Sequence, residues 1–377
     1  MLIVTNVDSD IFAILYTPTC YVINGCYLGR KNLSFDPVYC LTIKELNTVF
    51  FSTSLITIMQ TQKSNVFVNG KVLSLHQLTG QSAHDALVEM KRLSLDDHKK
   101  IRLPGPNPVS IEKKDLPKLK NSYVISPKTD GTRYILMFTR LYNYKVVMIV
   151  DRALNVYLLP LQIVPRNLYQ GTIFDGELTV AKSGTPTFVL FDAIVVAGVT
   201  VSHLTMGDRV IAMRRSLRSF RAHEKDPAVL TMKDWAPIES PNIKTRLKVS
   251  EDMYHTDGYV MVNVNKQVTY GRDFDFFKVK PHDKHTVDFI VLDAAGTLGL
   301  FDPQVRQNVP ITKYDTTKHM FLIGTVVECA FKNYAWTPLQ MRTDKTEAND
   351  VLTYQRTLVN IEEHITLDDI LNAVNKS

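Results

Sequence analysis

Two apolar, β-branched runs, Tyr123-Val124-Ile125 and Tyr134-Ile135-Leu136-Met137-Phe138, bracket the polar octapeptide Ser126-Pro127-Lys128-Thr129-Asp130-Gly131-Thr132-Arg133. Apolar runs of this length broken by an Asp-Gly pair read as strand, tight turn, strand. The chain is therefore committed to a sheet here, with a lysine held at the turn. Burial between apolar walls and the like charge of Arg133 both disfavour an ammonium, so the pattern predicts a Lys128 shifted toward its neutral, nucleophilic form. The tetrapeptide Lys-x-Asp-Gly also suits an ordinary polar hairpin, and its meaning depends on what else the chain carries.

Residues 126–281 are mostly short strands. Residues 145–150 and 155–159 form a hairpin through Asp151-Arg152-Ala153-Leu154. Residues 187–196 read as a buried strand in which Asp192 is the one anomaly. One helix interrupts, over residues 206–221. Val210, Met213, Leu217 and Phe220 form its buried stripe, and Arg214, Arg215, Arg218 and Arg221 lie away from it. That arginine face suits RNA or plain solvent. Residues 286–341 again alternate strands and turns, a texture that fits a small five-stranded barrel. The tail turns helical over 351–363 and 366–374, with Thr366 and Asp369 as a cap signal.

Upstream, residues 1–75 are sparse in charge and rich in Val, Ile, Phe, Tyr and Thr, with turn signals at Asn24-Gly25 and Asn69-Gly70. They read as a small β-rich unit without evident chemistry. A short helix over 82–93 follows, capped by Ser82, with Leu87, Met90 and Leu93 on one stripe. Leu103-Pro104-Gly105-Pro106-Asn107-Pro108 then reads by composition as a linker or access loop.

At 377 residues, 45% hydrophobic and 22% charged, the chain has the makeup of a soluble globular protein of one large or two domains. It contains no apolar run long enough to span a bilayer, and its N-terminus lacks the order of a signal peptide. Cys20, Cys26, Cys40 and Cys329 show no Cys-x-x-Cys pair, so neither a disulfide framework nor a zinc site is indicated, and reduced intracellular thiols are expected. A net charge of +6 permits a polyanionic partner without demanding one.

Four stretches follow Lys128. Phe174-Asp175-Gly176-Glu177-Leu178 ends a turn on a carboxylate that can reach a ribose hydroxyl or a metal. Leu190-Phe191-Asp192 ends the buried strand on an aromatic and an acid. His255-Thr256-Asp257-Gly258-Tyr259 is a second Asp-Gly turn feeding a strand. Phe277-Lys278-Val279-Lys280-Pro281 puts two ammoniums on one strand face, a phosphate site that would also depress a third lysine nearby.

Together these stretches resemble the covalent nucleotidyltransferase superfamily of DNA ligases, RNA ligases and mRNA capping guanylyltransferases. The guanylyltransferase branch is singled out by further segments. Leu103 to Ile111 looks like the proline-glycine segment that precedes its nucleophile. Lys128-Thr129-Asp130-Gly131-Thr132-Arg133 matches its active-site hexapeptide, and Val150-Asp151-Arg152 its next hairpin. Val327-Glu328-Cys329-Ala330-Phe331, with Trp336, matches a strand of its barrel. Arg342-Thr343-Asp344-Lys345 matches an Arg-x-Asp-Lys signature that ligases do not share. The resemblance covers residues 101–354. Val279 stands where the family often has tryptophan, and Glu347-Ala348-Asn349 replaces its usual proline-asparagine.

The resemblance implies an α+β fold. Residues 1–100 would be an extension, 101–283 a nucleotidyltransferase domain of antiparallel sheets with flanking helices, and 284–346 an OB-fold barrel. Residues 347–377 would be helices packing back on the nucleotidyltransferase domain. It implies that Lys128 attacks the α-phosphate of GTP and then passes GMP to a 5′-diphosphate RNA. Arg133 and Glu177 would contact ribose, Arg152 and Lys280 the α-phosphate, and Phe191 would stack on guanine. Asp257 would position metal or phosphate, and Lys278 would help bind nucleotide. Arg342, Asp344 and Lys345 would orient the β- and γ-phosphates when the domains close. Mg²⁺ or Mn²⁺ is the expected cofactor, with Glu177 and Asp257 as the protein groups nearest to it in role. RNA triphosphatase and cap methyltransferase would be separate polypeptides, no membrane is involved, and the expected place is the nucleus or a viral factory in the cytoplasm. An ATP-dependent polynucleotide ligase would share Lys128, Glu177, Asp257 and Lys280 but leave Arg342 to Lys345 unexplained. A non-enzymatic RNA-binding module would leave the Lys128 constellation unexplained, and an inactive homologue would be expected to have lost charged groups that this chain keeps.

Overall fold

The computed structural model of the chain describes residues 59–375 except 121, 282–283 and 344. Nearer the N-terminus it describes the backbone of four short strands, β1 (Leu2–Val7), β2 (Asp10–Leu15), β3 (Val22–Ile23) and β4 (Cys26–Tyr27). These pair as two antiparallel ladders within a unit of residues 1–58, and residues 59–377 form a second unit. The Asn24-Gly25 turn signal lies outside the described residues. Among the described residues, no helix is long and apolar enough to cross a membrane.

The second unit is built on three sheets. The largest has nine strands. Its spine is β9 (Thr132–Leu141), flanked on one side by β12 (Thr172–Val180), β13 (Pro186–Val196), β14 (Val199–Thr200) and β15 (Val229–Met232), and on the other by β10 (Tyr144–Val150) and β11 (Val156–Leu158). The strands β5 (Thr61–Val68) and β6 (Lys71–Leu78) close that second edge. A five-stranded sheet joins β16 (Ala236–Pro237), β8 (Tyr123–Thr129), β17 (Thr256–Asn263), β18 (Gly271–Val279) and β7 (Pro106–Ser110), in that order. The third sheet, β21-β20-β19-β22-β23, runs from β19 (Thr286–Val291) through β20 (Thr297–Asp302), β21 (Gln307–Lys313) and β22 (Val326–Lys332) to β23 (Ala335–Met341), and is the expected OB-like domain. The helices are α1 (Gly80–Leu93), α2 (Met206–Ser216), α3 (Ile243–Met253), α4 (Val351–Glu363) and α5 (Leu367–Asn375). The fold is α+β, as expected.

Three expectations are corrected. Residues 59–100 are not part of a separate extension. The turn Asn69-Gly70, both residues at positive φ, joins β5 and β6 into a hairpin whose Val66, Val68, Leu73 and Leu75 enter the same core as Phe138, Phe174 and Phe188. An isolated hairpin is marginal in water, so this one completes a sheet instead. Next, Ser82 does not cap α1. It lies inside the helix, buried, with its hydroxyl accepting from Gln60 N (3.0 Å), and Thr79 occupies the cap position. Lastly, the proline-rich segment is not wholly a loop: β7 pairs in parallel with β18 at the sheet edge, where missing N–H donors cost least.

The C-terminal helices divide their contacts. Ile370 and Leu371 of α5 join Ile125, Met261 and Phe277 in the core of the five-stranded sheet. Val351, Tyr354, Leu358 and Ile361 of α4 pack on the barrel core around Phe289 and Trp336. From the other side of α4, Arg356 pairs with Glu112 and Asp115, and Asn360 donates to Ile111 O (2.6 Å). α4 thus grips both domains at once.

Candidate active site

Strand β8 delivers Lys128, and the turn after it is held from three sides. Asp130 N donates to His255 O (2.8 Å), while Asp130 O accepts from Asn69 Nδ2 (2.7 Å) and Thr179 Oγ1 (2.6 Å). Asn69, at the tip of the β5–β6 hairpin, therefore gives the segment before residue 101 a direct part in fixing the nucleophile turn.

Lys128 Nζ donates to Asp257 Oδ1 (2.8 Å), and Lys280 Nζ lies 2.9 Å from Asp257 Oδ2. An irregularity in β17 between Thr256 and Tyr259 turns Asp257 inward. Gly258 makes this possible: at φ +122 a Cβ there would sit 2.0 Å from Val279 O, so only glycine lets the two strands come close enough for both lysines to share one carboxylate.

The expected neutral Lys128 is corrected. Burial alone would depress it, but Asp257 and Glu177 outweigh burial and hold its ammonium above the ordinary lysine range. Arg133, expected to repel it, is turned onto Asp175 instead. The lysine pushed lowest is Lys278. Burial, then Lys280, Lys128, Arg152 and Lys345, push it down to about 7. Glu177 is held above the usual carboxylate range by burial, against the pull of Lys128, Lys233 and Arg152.

The sign of the Lys278 shift yields a prediction. In the empty site Lys278 is mostly neutral one unit above its midpoint, and an arriving polyphosphate restores its ammonium. GTP binding at about pH 8 should therefore take up a proton, and the uptake should fade below about pH 6, where the lysine is already charged. Calorimetry in buffers of differing ionisation enthalpy measures it. Uptake that is equal in Lys278→Met would remove this lysine from the phosphate site.

Arg133 is buried. Nε and Nη2 donate to the two oxygens of Asp175 (2.8 and 2.5 Å) and Nη1 to Asn107 Oδ1 (2.7 Å), so three of its five N–H groups are engaged. Gly105 admits this cluster, since a Cβ there would lie 2.7 Å from Asp175 Oδ2. Burial raises Asp175 to about 6 despite the guanidinium. The Asp192 anomaly resolves as a buried bidentate pair with Arg209 of α2 (2.8 and 2.7 Å).

Phe191 is half-buried and lies in the middle of β13, not at the expected end of a strand. It lines a cavity of about 10 Å³ with Trp235, Met206 and Phe276, room for roughly one water and no purine in this arrangement.

The barrel brings its own cations. Arg342 Nη1 donates to both oxygens of Asp288 (3.0 and 3.2 Å), and the Lys345 ammonium bonds the same carboxylate. Lys345 lies close enough to Arg152 and Lys278 for the charges to act on one another. Lys128, Arg152, Lys280 and Lys345 thus all act on Lys278, a cluster of positive charge to which Lys128 belongs. Asp344 lies outside the described residues.

Two contributors had escaped sequence reasoning. Lys233 is buried with Nζ donating to Pro127 O (2.8 Å) and Thr129 Oγ1 (3.0 Å), the residues on either side of Lys128, and burial takes it down to about 8. Nothing local marks it. Asp288 did carry a signal, an acid inside the apolar run Thr286-Val287-Asp288-Phe289-Ile290-Val291, the same kind of anomaly as Asp192. Among the described residues no three His, Cys, Asp or Glu side chains converge on a metal site, and both oxygens of Asp257 are taken by ammoniums.

Residues 68–282 match the family model described as mRNA capping enzyme, catalytic domain, and residues 302–371 match mRNA capping enzyme, C-terminal domain. The mRNA-capping enzyme of Danio rerio is 24% identical over 337 residues, covering 82% of this chain, and the chain spans 56% of that protein's length. The mRNA-capping enzyme subunit alpha of Schizosaccharomyces pombe is 24% identical over 316 residues, covering 71% of this chain and 79% of that one. Among solved structures, a mycobacterial DNA ligase D complexed with ATP and MES is 12% identical at a TM-score of 0.38, covering 65% of this chain and 96% of that chain.

Proposed function

The chain belongs to the mRNA capping enzyme family, and from that premise we propose that it is a guanylyltransferase that caps RNA through a covalent lysyl-GMP intermediate. The single observation that carries the proposal is the arrangement at Lys128: one lysine fixed on a carboxylate that it shares with Lys280, within a cluster of cations to which Lys345 of the barrel contributes. Lys128 Nζ loses a proton and attacks the α-phosphorus of GTP. The P–N bond forms as the bond to the pyrophosphate oxygen breaks. A 5′-diphosphate RNA then attacks the same phosphorus, the P–N bond breaks, Lys128 regains its proton and GpppRNA leaves.

Splitting one displacement into two is what a covalent nucleophile offers. Asp257 and Glu177 have the position to hold the Lys128 ammonium until phosphate replaces them. Arg152, Lys278 and Lys280 are assigned to the α-phosphate, Arg133 and Glu177 to the ribose, and Phe191 to the guanine face once its slot opens. Arg342, Asp344 and Lys345 are assigned to the β- and γ-phosphates. Mg²⁺ or Mn²⁺, held by the nucleotide phosphates with Glu177 or Asp257 as a protein ligand, would neutralise charge developing on pyrophosphate. The partners are GTP and 5′-diphosphate RNA, with triphosphatase and methyltransferase steps on separate polypeptides. The name subunit alpha borne by the fission-yeast relative is consistent with such partners.

Intact mass spectrometry after incubation with GTP or ATP and a divalent metal tests the proposal. A mass gain of one guanylate with GTP, and none with ATP, is the expected result. An adenylate instead would make the chain a ligase-type enzyme.

A further inference from the structure

We infer that the arginine segment at the C-terminal end of α2 is a docking surface for the RNA chain downstream of its 5′ end, an inference that rests on the capping reading above. Arg214, Arg215 and Arg218 are exposed, and Lys225 follows shortly after. Among the described residues none of the three arginines has a carboxylate within 4.0 Å. The contrast with the other helices is sharp. Arg92 pairs with Glu89, Arg246 with Asp234, Lys248 with Asp252, and Arg356 with Glu112 and Asp115. Arg214 and Arg215 lie in the last turn of α2, which ends at Ser216 and not at the expected residue 221, and Arg218 follows in the turn just past it.

The platform beneath them is rigid. Thr205 caps α2 by accepting from Asp208 N, Met213 is in the core, and Arg209 is locked to Asp192. Arg221 donates to the carbonyls of Arg218 and Phe220 and so holds the chain just past the helix. Part of this positive charge complements the helix C-terminus, but that needs no more than one or two cations. The remainder presents exposed guanidiniums to an anion, and guanidinium forks match phosphate oxygens in pairs.

Position selects the ligand. Met206, at the start of α2, packs with Val124 and Val260, which belong to the strands carrying Lys128 and Asp257. Eleven residues of helix lead away from that point, about 16 Å. β15 returns toward the site, parallel to β13, and hands the chain to Lys233 beside Lys128. The arginines thus lie at the far end of a helix that starts against the strands bearing Lys128 and Asp257, and charge complementarity commits the surface to the phosphates of an acceptor RNA beyond its first nucleotides. A phosphate-bearing chain whose first residue must reach Lys128 is the polyanion of that geometry.

The test compares wild type with Arg214→Gln/Arg215→Gln/Arg218→Gln and with the matching triple lysine variant. Arg221 is left in place because it bonds the backbone. RNA affinity is measured by fluorescence anisotropy across salt, and transfer kinetics with acceptors of about 30 and about 3 nucleotides. The glutamine variant should load GMP normally and use the short acceptor normally. Its affinity for the long acceptor should fall roughly tenfold, and its salt slope by about 2, the value for three lost single-strand phosphate contacts. The lysine variant should recover most of the loss. Unchanged long-RNA affinity and slope would overturn the inference, as would an equal defect with the short acceptor. Intact RNA affinity combined with lost binding of a phosphoserine peptide would reassign the surface to a protein partner. Anisotropy needs no catalysis, so a wild type that failed to form guanylate would sink the capping reading while leaving this test readable.

Discussion

Lys128→Ala is expected to leave a folded protein that never retains guanylate through denaturation. The wild-type adduct should survive denaturant and be cleaved by acid, as a phosphoamide is. The fold is expected to persist because the lysine is one of two partners of Asp257; Lys280, 2.9 Å from Oδ2, still neutralises that buried carboxylate. Removing both would strand a buried charge, which is far more damaging. The loss should be complete, since a nucleophile cannot be replaced by electrostatics. Lys278, depressed to about 7, is the nearest competitor, being the more neutral amine of the set. Guanylate found on Lys278 in the Lys128→Ala protein, located by peptide mapping, would show that the neutral lysine and not the anchored one is the nucleophile. Absence of label with unchanged melting is the expected pairing.

The second large effect concerns the barrel. Lys345→Ala and Arg342→Ala should each slow adduct formation from GTP by about 10²-fold or more, the scale for losing a preorganised charge contact to a transition state. Transfer from an adduct already formed should change little. The β- and γ-phosphates exist only in the first half-reaction, so groups that hold them have nothing to hold in the second. In the structure, Asp288 occupies both cations, with Arg342 at 3.0 Å and Lys345 bonded beside it. On the proposed function the nucleotide would take these cations over from Asp288, which holds them in place in its absence. Single-turnover kinetics with GTP, and separately with isolated guanylated enzyme and diphosphate RNA, separate the steps. Normal loading with failed transfer in Lys345→Ala would place the cluster on RNA and end this account of domain closure.

Local pattern alone was enough for many of the elements, though not for β7, for the cap of α1 or for the end of α2 at Ser216. The β-branched runs and the Asp130-Gly131 turn specified β8 and β9 because strand period and turn chemistry act over a few residues, whereas Asp175-Gly176 and Asp257-Gly258, expected as turns, lie inside β12 and β17 at breaks of register. The C-terminal helix at 351–363 has the bounds its apolar stripe implies, and Thr366 and Asp369 form the cap that their spacing suggests. The residues bearing Lys128, Glu177, Asp257, Lys278 and Lys280 were equally legible, because each sits in a motif whose order along the chain is distinctive.

What the chain could not declare locally was which charge faces which. Arg133 follows Lys128 by five residues, yet its guanidinium turns to Asp175 and Asn107, and so the repulsion expected on Lys128 never arises. Lys233 reaches the nucleophile strand through two hydrogen bonds spanning more than a hundred residues. Asn69 reaches Asp130 across sixty-one, and that is why residues 59–100 looked dispensable until the sheet closed around them. The pKa of a lysine depends on the sum of burial and of charges brought from distant strands, and that sum exists only once the fold has placed them. Sequence decided that Lys128 would be present at a turn between strands; tertiary structure decided that it rests charged, on Asp257, while Lys278 carries the depressed amine.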